Sequence, residues 1–476
     1  MERSKRLGTE NPGKLLLVFS IPVIVGLLVQ AFYNVTNRIF IGNAVGSLGI
    51  AGLTVAFPAM MIQVAFGAMV GMGATTLVSI RLGQGRKEEA ERVMGNAVVL
   101  LIITSLLITA FGLTFMEPML RLFGASDAVL PYARDYMEIV ILGTVFGLLS
   151  FGMNNFLRAE GNPNKAMVTM LISSICNIIL TFLFVTVFGW GMKGGAYATI
   201  ISQAVSATWI ITHFALGKGE LKIRRKNFPL RWRLVTTIMF MGMSPFAMQF
   251  AQSLLGGLLN NSLKTYGGDL AISGMGIVMT LMSVIVMPII GINGGAQPII
   301  GYNFGARKYE RVTQVLKYAL LGATAIAVFG FTVTRIYSAQ LISLFNNQDV
   351  ELIAFGSRAL LIFTAVMPII GLQMVGAGFF QAIGKPIHSM LLSLSRQVLV
   401  FIPCLLILPR FYGLDGILFT GPVADSISTI ITAIWLIMEV SNLRRRHQES
   451  LGPGDAPNDA GQDSSQVMES VYTLKP

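Results

Sequence analysis

The two halves of this chain repeat one another at an offset of about 222 residues, so whatever the chain folds into must be built twice. Ile50, Gly52, Gly73, Ala74 and Gly83 recur as Ile272, Gly274, Gly295, Ala296 and Gly305. Phe156, Ala159, Gly161 and Pro163 return one residue later in phase as Phe379, Ala382, Gly384 and Pro386, and Gly191 and Gly194 return as Gly413 and Gly416. The shared residues are small ones and prolines, which set backbone shape and let helices approach closely. A chain folded twice in one way leaves a seam between two lobes, where transporters commonly hold their substrate.

The solvent can be read from composition. With 54% hydrophobic and only 12% charged residues, the chain lies far from soluble domains, which carry about 25% charge. Apolar runs of about 20 residues or more recur throughout, each long enough to cross a hydrocarbon core of about 30 Å. They predict helices over 15–38, 50–79, 92–115, 133–156, 165–188 and 194–216, then 235–261, 271–300, 312–334, 354–380, 388–409 and 416–438. The expected fold is an all-α membrane protein of twelve transmembrane helices, in two pseudo-symmetric six-helix lobes around a central cleft. Residues 1–14 precede the first lobe (15–216), a basic linker (217–234) joins it to the second (235–442), and 443–476 read as a disordered tail. The first run is too long for a secretory h-region and holds Pro22, so it is expected to be retained.

Basic residues mark one side. Arg81, Arg86, Lys87 and Arg92, then Arg158 and Lys165, the linker from Lys218 to Arg233, and Arg307, Lys308, Arg311, Lys317 and Lys385 all fall in alternate loops with the N-terminal cations and Arg444–Arg446. The opposite loops hold Arg121, Arg134, Lys193, Lys264, Arg335 and Arg410. By the positive-inside rule both termini are cytoplasmic, and the net charge of +12 reflects topology instead of nucleic-acid binding. The linker is expected to lie on anionic headgroups. Cys176 and Cys404 do not correspond across the repeat, and the three histidines are scattered, so neither a disulfide nor a metal site is expected. No Walker loop is present, which argues against ATP hydrolysis by this chain.

Polar residues within apolar spans are costly and point to function. Gln30, Asn34 and Asn37 share one face of the first helix; Asn177 and Thr181 share a face of the fifth, and Thr199 and Gln203 of the sixth. All fall in the outer half of the membrane, as if lining one cavity; the alternative is that they bond helices together. Asp425 on the last helix and Arg396 on the one before reach similar depth from opposite sides and are expected to pair, either as a structural ion pair or as a coupling group. Through the repeat they match Gln203 and Ser174. Pro22 and Pro245 correspond and permit bends near the start of each lobe. Met248, Met275, Met279 and Met282 are candidates for a flexible cleft surface.

Several motifs carry a family resemblance. Asn34-Val-Thr-Asn-Arg-Ile-Phe-Ile-Gly42, Arg81-Leu-Gly-Gln-Gly-Arg-Lys87, Arg158-Ala-Glu-Gly-Asn-Pro163 and Gln297-Pro-Ile-Ile-Gly-Tyr-Asn-Phe-Gly-Ala-Arg307 resemble the multidrug and toxin extrusion (MATE) family, its bacterial MepA-like branch especially. The resemblance runs from about residue 10 to 442. It implies a secondary antiporter in the cytoplasmic membrane of a prokaryote, not an enzyme, exporting amphipathic organic cations in exchange for protons or sodium ions by alternating access. It implies no cofactor beyond that coupling ion, no metal other than a possible Na+, and no partner other than the bilayer and small-molecule cations; a monomer is expected. Relatives carry acids near the outer end of the first helix and on the fifth, where this chain has Asn37 and Thr181, while Thr199 matches. Coupling is then expected at Asp425, through neutral oxygens that bind sodium, or not at all. The alternative is a flippase or exporter of a lipid-linked or other non-drug substrate with atypical coupling.

Overall fold

The computed structural model describes residues 2–217, 219–345 and 349–450, and among these the regular elements are all helical. The first helix is Pro12–Val45, the second Ser47–Gly83 and the third Lys87–Thr114. The fourth has two pieces, Leu130–Leu142 and Thr144–Ala159, bent by 59° at Gly143. The fifth, Pro163–Thr181, continues into a π-wound turn, Phe182–Val187, and the sixth is Gly191–Ala215.

The second lobe repeats this plan. Its seventh helix bends by 45° between Trp232–Met241 and Met243–Gly268, and Gly268, at φ 65°, turns the chain into the eighth, Leu270–Gly305. The ninth is Tyr309–Ile336, and the tenth bends by 53° between Val350–Phe363 and Met367–Ala382. The eleventh runs through Pro386–Leu394 and a π-wound Ser395–Phe401 to residue 412; Gly413, at φ 55°, opens the twelfth, which ends at Ser450. Both turning glycines adopt the left-handed conformation that a side chain disfavours.

Twelve spans in two sets of six therefore stand where the apolar runs place them, but the helices are longer than the runs. The first extends outward from an expected 15–38 to Pro12–Val45, because hydropathy detects the lipid-facing stretch and not the capped ends. Two short helices outside the spans, Met116–Leu122 and Ser338–Ser343, occupy matching places in the repeat. Residues 443–450, read as the start of the tail, continue the twelfth helix; the rest of that tail lies outside the described residues. The linker is bonded to the first lobe. Glu160, fully buried, accepts the backbone N–H of Glu220 at 3.0 Å, and buried Glu91 accepts that of Lys222 at 3.2 Å and pairs with Arg224 at 3.1 Å. Asn96 donates to the carbonyl of Asn227 at 3.0 Å and accepts from the N–H of Arg231 at 2.9 Å. The linker is thus clasped to the first lobe.

What positions the lobes is an exchange of helix starts. Leu15, Leu16 and Phe19, from the first helix, are buried in the core of the second lobe beside Ile289, Ile292 and Ala296. Val235 and Ile238, from the seventh, are buried in the core of the first lobe beside Val70, Ala74 and Leu77. At the crossings glycine meets backbone. A Cβ on Gly83 would lie 1.9 Å from the carbonyl oxygen of Tyr302, and one on Gly305 would lie 2.1 Å from that of Ile80, two contacts related by the repeat. Likewise Gly73 abuts the carbonyl of Ile238, Gly242 that of Met69, and Gly295 the backbone of Ser20.

These contacts all lie toward the face that carries the N-terminal segment, called here the terminal face. Further out, none of the glycines among the described residues makes such a contact across the seam, and nothing stands within 4 Å of a Cβ built on Gly256 or Gly257. The cleft therefore opens away from the terminal face. The proline positions fit the crossings. Pro22 lies within a continuous first helix, whereas Pro245 comes just after the bend at Gly242. Pro245 has no N–H to give the carbonyl of Met241 four residues back, and Gln381 Nε2 donates to that oxygen at 2.5 Å.

The seam yields a direct test. Gly83→Val places methyl groups against the Tyr302 backbone and is expected to cost about 1–3 kcal/mol or more by overpacking, read as a lower Tm in detergent and loss of transport. Gly256→Ala and Gly257→Ala should leave both unchanged.

Candidate functional site

Two polar centres are buried within the spans, one in each lobe, and they differ in chemistry. In the first lobe Asn177, about 21 Å along the fifth helix from Pro163, donates from Nδ2 to Thr199 Oγ1 and to Ser202 Oγ, both at 3.4 Å. Thr181 Oγ1 donates to Asn177 Oδ1 at 3.4 Å. Thr199 sends its own hydrogen to the Gly195 carbonyl at 3.0 Å and Ser202 to that of Thr199 at 2.8 Å. Tyr136, 3.5 Å from Thr199 Oγ1, must then be the donor of that pair. All five side chains are buried.

This centre contains no ionisable group at neutral pH. Its links of 3.4–3.5 Å are long beside the usual 2.9–3.0 Å, so the circuit is closed but weakly held. Its oxygen lone pairs can solvate a monovalent cation, but an amide and alcohols cannot release a proton.

The sequence-derived stripes are only partly assembled here. Asn177, Thr181 and Thr199 meet. Asn37 keeps Oδ1 buried without a hydrogen-bond partner, whereas Gln30 and Asn34 are exposed, Asn34 bonding only the Gln30 carbonyl of its own helix at 2.9 Å. Gln203 lies along Gly147 of the fourth helix, and Ser202 takes its place in the circuit. Positions three and four residues beyond Thr199 share a helix face, so spacing does not distinguish Ser202 from Gln203. Tyr136 escapes sequence reasoning because it stands alone on its helix; no stripe marks it.

The second-lobe centre is charged. Arg396 Nε donates to Asp425 Oδ1 at 2.5 Å, with Asp425 5% exposed and Arg396 25%. Arg396 stands about 15 Å along its helix from Pro386 and so near the middle of a core of about 30 Å. Its backbone is part of the π-wound stretch Ser395–Phe401, which fits an extra residue into the turn and shifts the phase of the residues beyond it. The first lobe has its π-wound turn later, at Phe182–Val187, so Ser174, the repeat partner of Arg396, sits on a regular α-helix. Thr429, one turn beyond Asp425, and Gln397, beside Arg396, each keep a buried side-chain oxygen without a partner. Removing one member of a buried pair typically costs about 3–5 kcal/mol, whereas replacing both is often neutral.

The expected methionine surface does not form. Met275 and Met282 are buried in the second-lobe core with Val278, and Met279 packs against it. Spacing of three and four along a helix turns that stripe inward. Met248 alone of the four candidates stays half-buried off that core. The floor of the cleft is aromatic: Phe66 of the first lobe and Phe246 of the second stand 5.0 Å apart, and Phe246 stacks on exposed Phe250 at 6.1 Å. On the side away from the terminal face Arg358 is paired with Asp415 at 2.6 Å.

Comparison with known proteins matches the fold. The chain is 26% identical over 429 residues to multidrug export protein MepA of Staphylococcus haemolyticus, covering 90% of this chain and 94% of that protein. A structure titled as the MATE multidrug transporter DinF-BH in complex with R6G is 36% identical, covering 92% of this chain and 98% of its own, with a TM-score of 0.86. A structure described as the outward-facing conformation of a MATE family transporter has the same fold at 24% identity, with a TM-score of 0.87 over 94% of this chain and 99% of its own. The MatE family model matches residues 22–183 and 245–406, once in each lobe and over more than half of the chain. With both halves of its repeat matched in this way, the chain belongs to the MatE family of membrane transporters.

Proposed function

We propose that the protein exports amphipathic organic cations and drives that export by an inward flow of protons coupled through Asp425. The observation that carries the coupling is the placement of Asp425: a carboxylate buried near mid-membrane and paired with a partly exposed guanidinium. Of the other buried carboxylates among the described residues, Glu91 and Glu160 sit at helix ends on the terminal face, and Glu439 pairs there with Lys385 at 2.6 Å. Protonating Asp425 removes its attraction for Arg396, so proton occupancy changes the charge balance of the second lobe. The first-lobe circuit holds no comparable group.

The substrate class rests on the aromatic floor of the cleft, which suits flat cations through their ring faces, and on relatives described as a multidrug export protein and a multidrug transporter. Lys and Arg concentrate on the terminal face, which we assign to the cytoplasm. Of the cations on the other side, Arg121 is paired with Asp127 at 2.9 Å and Lys193 with Asp135 at 3.5 Å, which strengthens the charge asymmetry. In this orientation the cleft opens outward, and export requires the exchanged helix starts to withdraw so that the cytoplasmic face can open.

Two sets of variants in proteoliposomes test coupling. Asp425→Asn should reduce proton-driven efflux of a cationic dye by about tenfold or more, and the doubly neutral Asp425→Asn/Arg396→Gln should recover the stability lost in the single variant but not the efflux. Wild-type proton-driven efflux by the double variant would make the pair merely structural. Asn37→Asp adds an ionisable group to the first helix, where Asn37 Oδ1 is buried without a partner, and its efflux should gain a second pH-dependent step that the wild type lacks; an unaltered profile would count against a functional first-lobe centre.

A further inference from the structure

The segment ahead of the first helix crosses the seam on the terminal face and is tied to both lobes. Leu7, the last residue of the short helix Glu2–Leu7, is fully buried in the second-lobe core. Around it the second lobe supplies donors to three carbonyls of the segment. Asn303 Nδ2 donates to Leu7 O at 2.8 Å, Lys308 Nζ to Gly8 O at 2.8 Å, and Arg311 Nη2 to Glu10 O. Arg311 Nε is held in turn by Asn303 Oδ1 at 3.2 Å. Gly8 lies against the ring of Tyr302, where a Cβ would come within 3.0 Å.

The other end belongs to the first lobe. The backbone N–H of Ser4 donates to Glu220 Oε1 at 3.0 Å. The N–H of Glu220 donates to Glu160, whose other oxygen receives His213 Nε2 at 2.7 Å. Lys165 Nζ lies 3.0 Å from His213 Nδ1, and an ammonium can only donate, so Nδ1 accepts and Nε2 carries the hydrogen given to Glu160. Glu220 is therefore fixed to the first lobe through a buried chain of bonds.

We propose that residues 4–11 are a latch that holds the terminal face closed and biases the transporter toward the outward-open state. The second-lobe end is held by a fully buried leucine and three side-chain donors, and the first-lobe end by Ser4 on Glu220. The lobes cannot separate on this face while both ends hold. Opening of this face therefore requires one of the two ends to let go. This inference rests on the alternating-access reading above, but not on the substrate or the coupling ion.

Spin labels at Glu88 and Glu310, exposed or partly exposed repeat mates on the terminal loops, report the separation of the lobes there. In the full-length chain a short distance should dominate. Deleting residues 2–9, or substituting Glu220→Ala, should raise the population of the longer distance by about fivefold or more, while Glu220→Gln, which keeps an oxygen acceptor, should stay near wild type. If the deletion does not fold, Glu220→Ala decides alone. Unchanged distributions in a folded deletion and in Glu220→Ala would overturn the latch. Opening in the variants, with a wild-type distance that responds to neither proton nor cation load, would uphold the latch and count against alternating access.

Discussion

The structure depends on backbone meeting backbone where two helices trade lobes. Gly83 against the Tyr302 carbonyl and Gly305 against that of Ile80 let the second and eighth helices touch without an intervening side chain. Helix association in lipid rests on close van der Waals packing more than on the hydrophobic effect, so such contacts can hold a seam that apolar burial alone would not. They also permit the starts of the first and seventh helices to be buried in the opposite lobe. The exchange makes the terminal face the closed one and leaves the outer halves of the same helices apart.

A closed face that must open needs helices that can change direction near the crossing. The seventh helix shows how this is arranged: Gly242 bends, Pro245 withholds a backbone donor, and Gln381 meets the Met241 carbonyl left behind. Pro22 occupies the matching place in a first helix that runs on without a break. The two lobes thus share a plan but not a conformation at their hinges, just as they share a backbone but not a chemistry in their polar centres. The neutral circuit around Asn177 stands opposite a charged pair at Arg396 and Asp425, on helices whose π-wound turns fall at different heights.

Most of the architecture is legible in the sequence. Apolar length marks the spans, and the small residues shared between the halves prove to be the seam, since Gly73, Gly83, Gly295 and Gly305 are contact points between lobes. The Arg396–Asp425 pair is legible because helix rise alone sets the depth of a charge in a span. The parts that are not legible have common causes. A helical stripe does not say whether it faces core or cleft, so Met275 and Met282 suggest a cleft surface although they pack inside the lobe. Spacing cannot choose Ser202 over Gln203, nor can it reveal Tyr136, whose partners come from another helix. The buried anchors Glu91 and Glu160 resemble residues of solvated loops because the linker they hold is distant in sequence.

Proton traffic is proposed to run through the charged second lobe while the first contributes a neutral centre. The most direct measurement is efflux of a fluorescent organic cation from proteoliposomes of the wild-type protein, under proton and sodium gradients imposed separately at equal membrane potential. An inward proton gradient is expected to drive efflux, and a sodium gradient alone is not. Efflux driven by sodium and indifferent to the proton gradient would contradict proton coupling, and would place coupling in the neutral oxygens around Asn177.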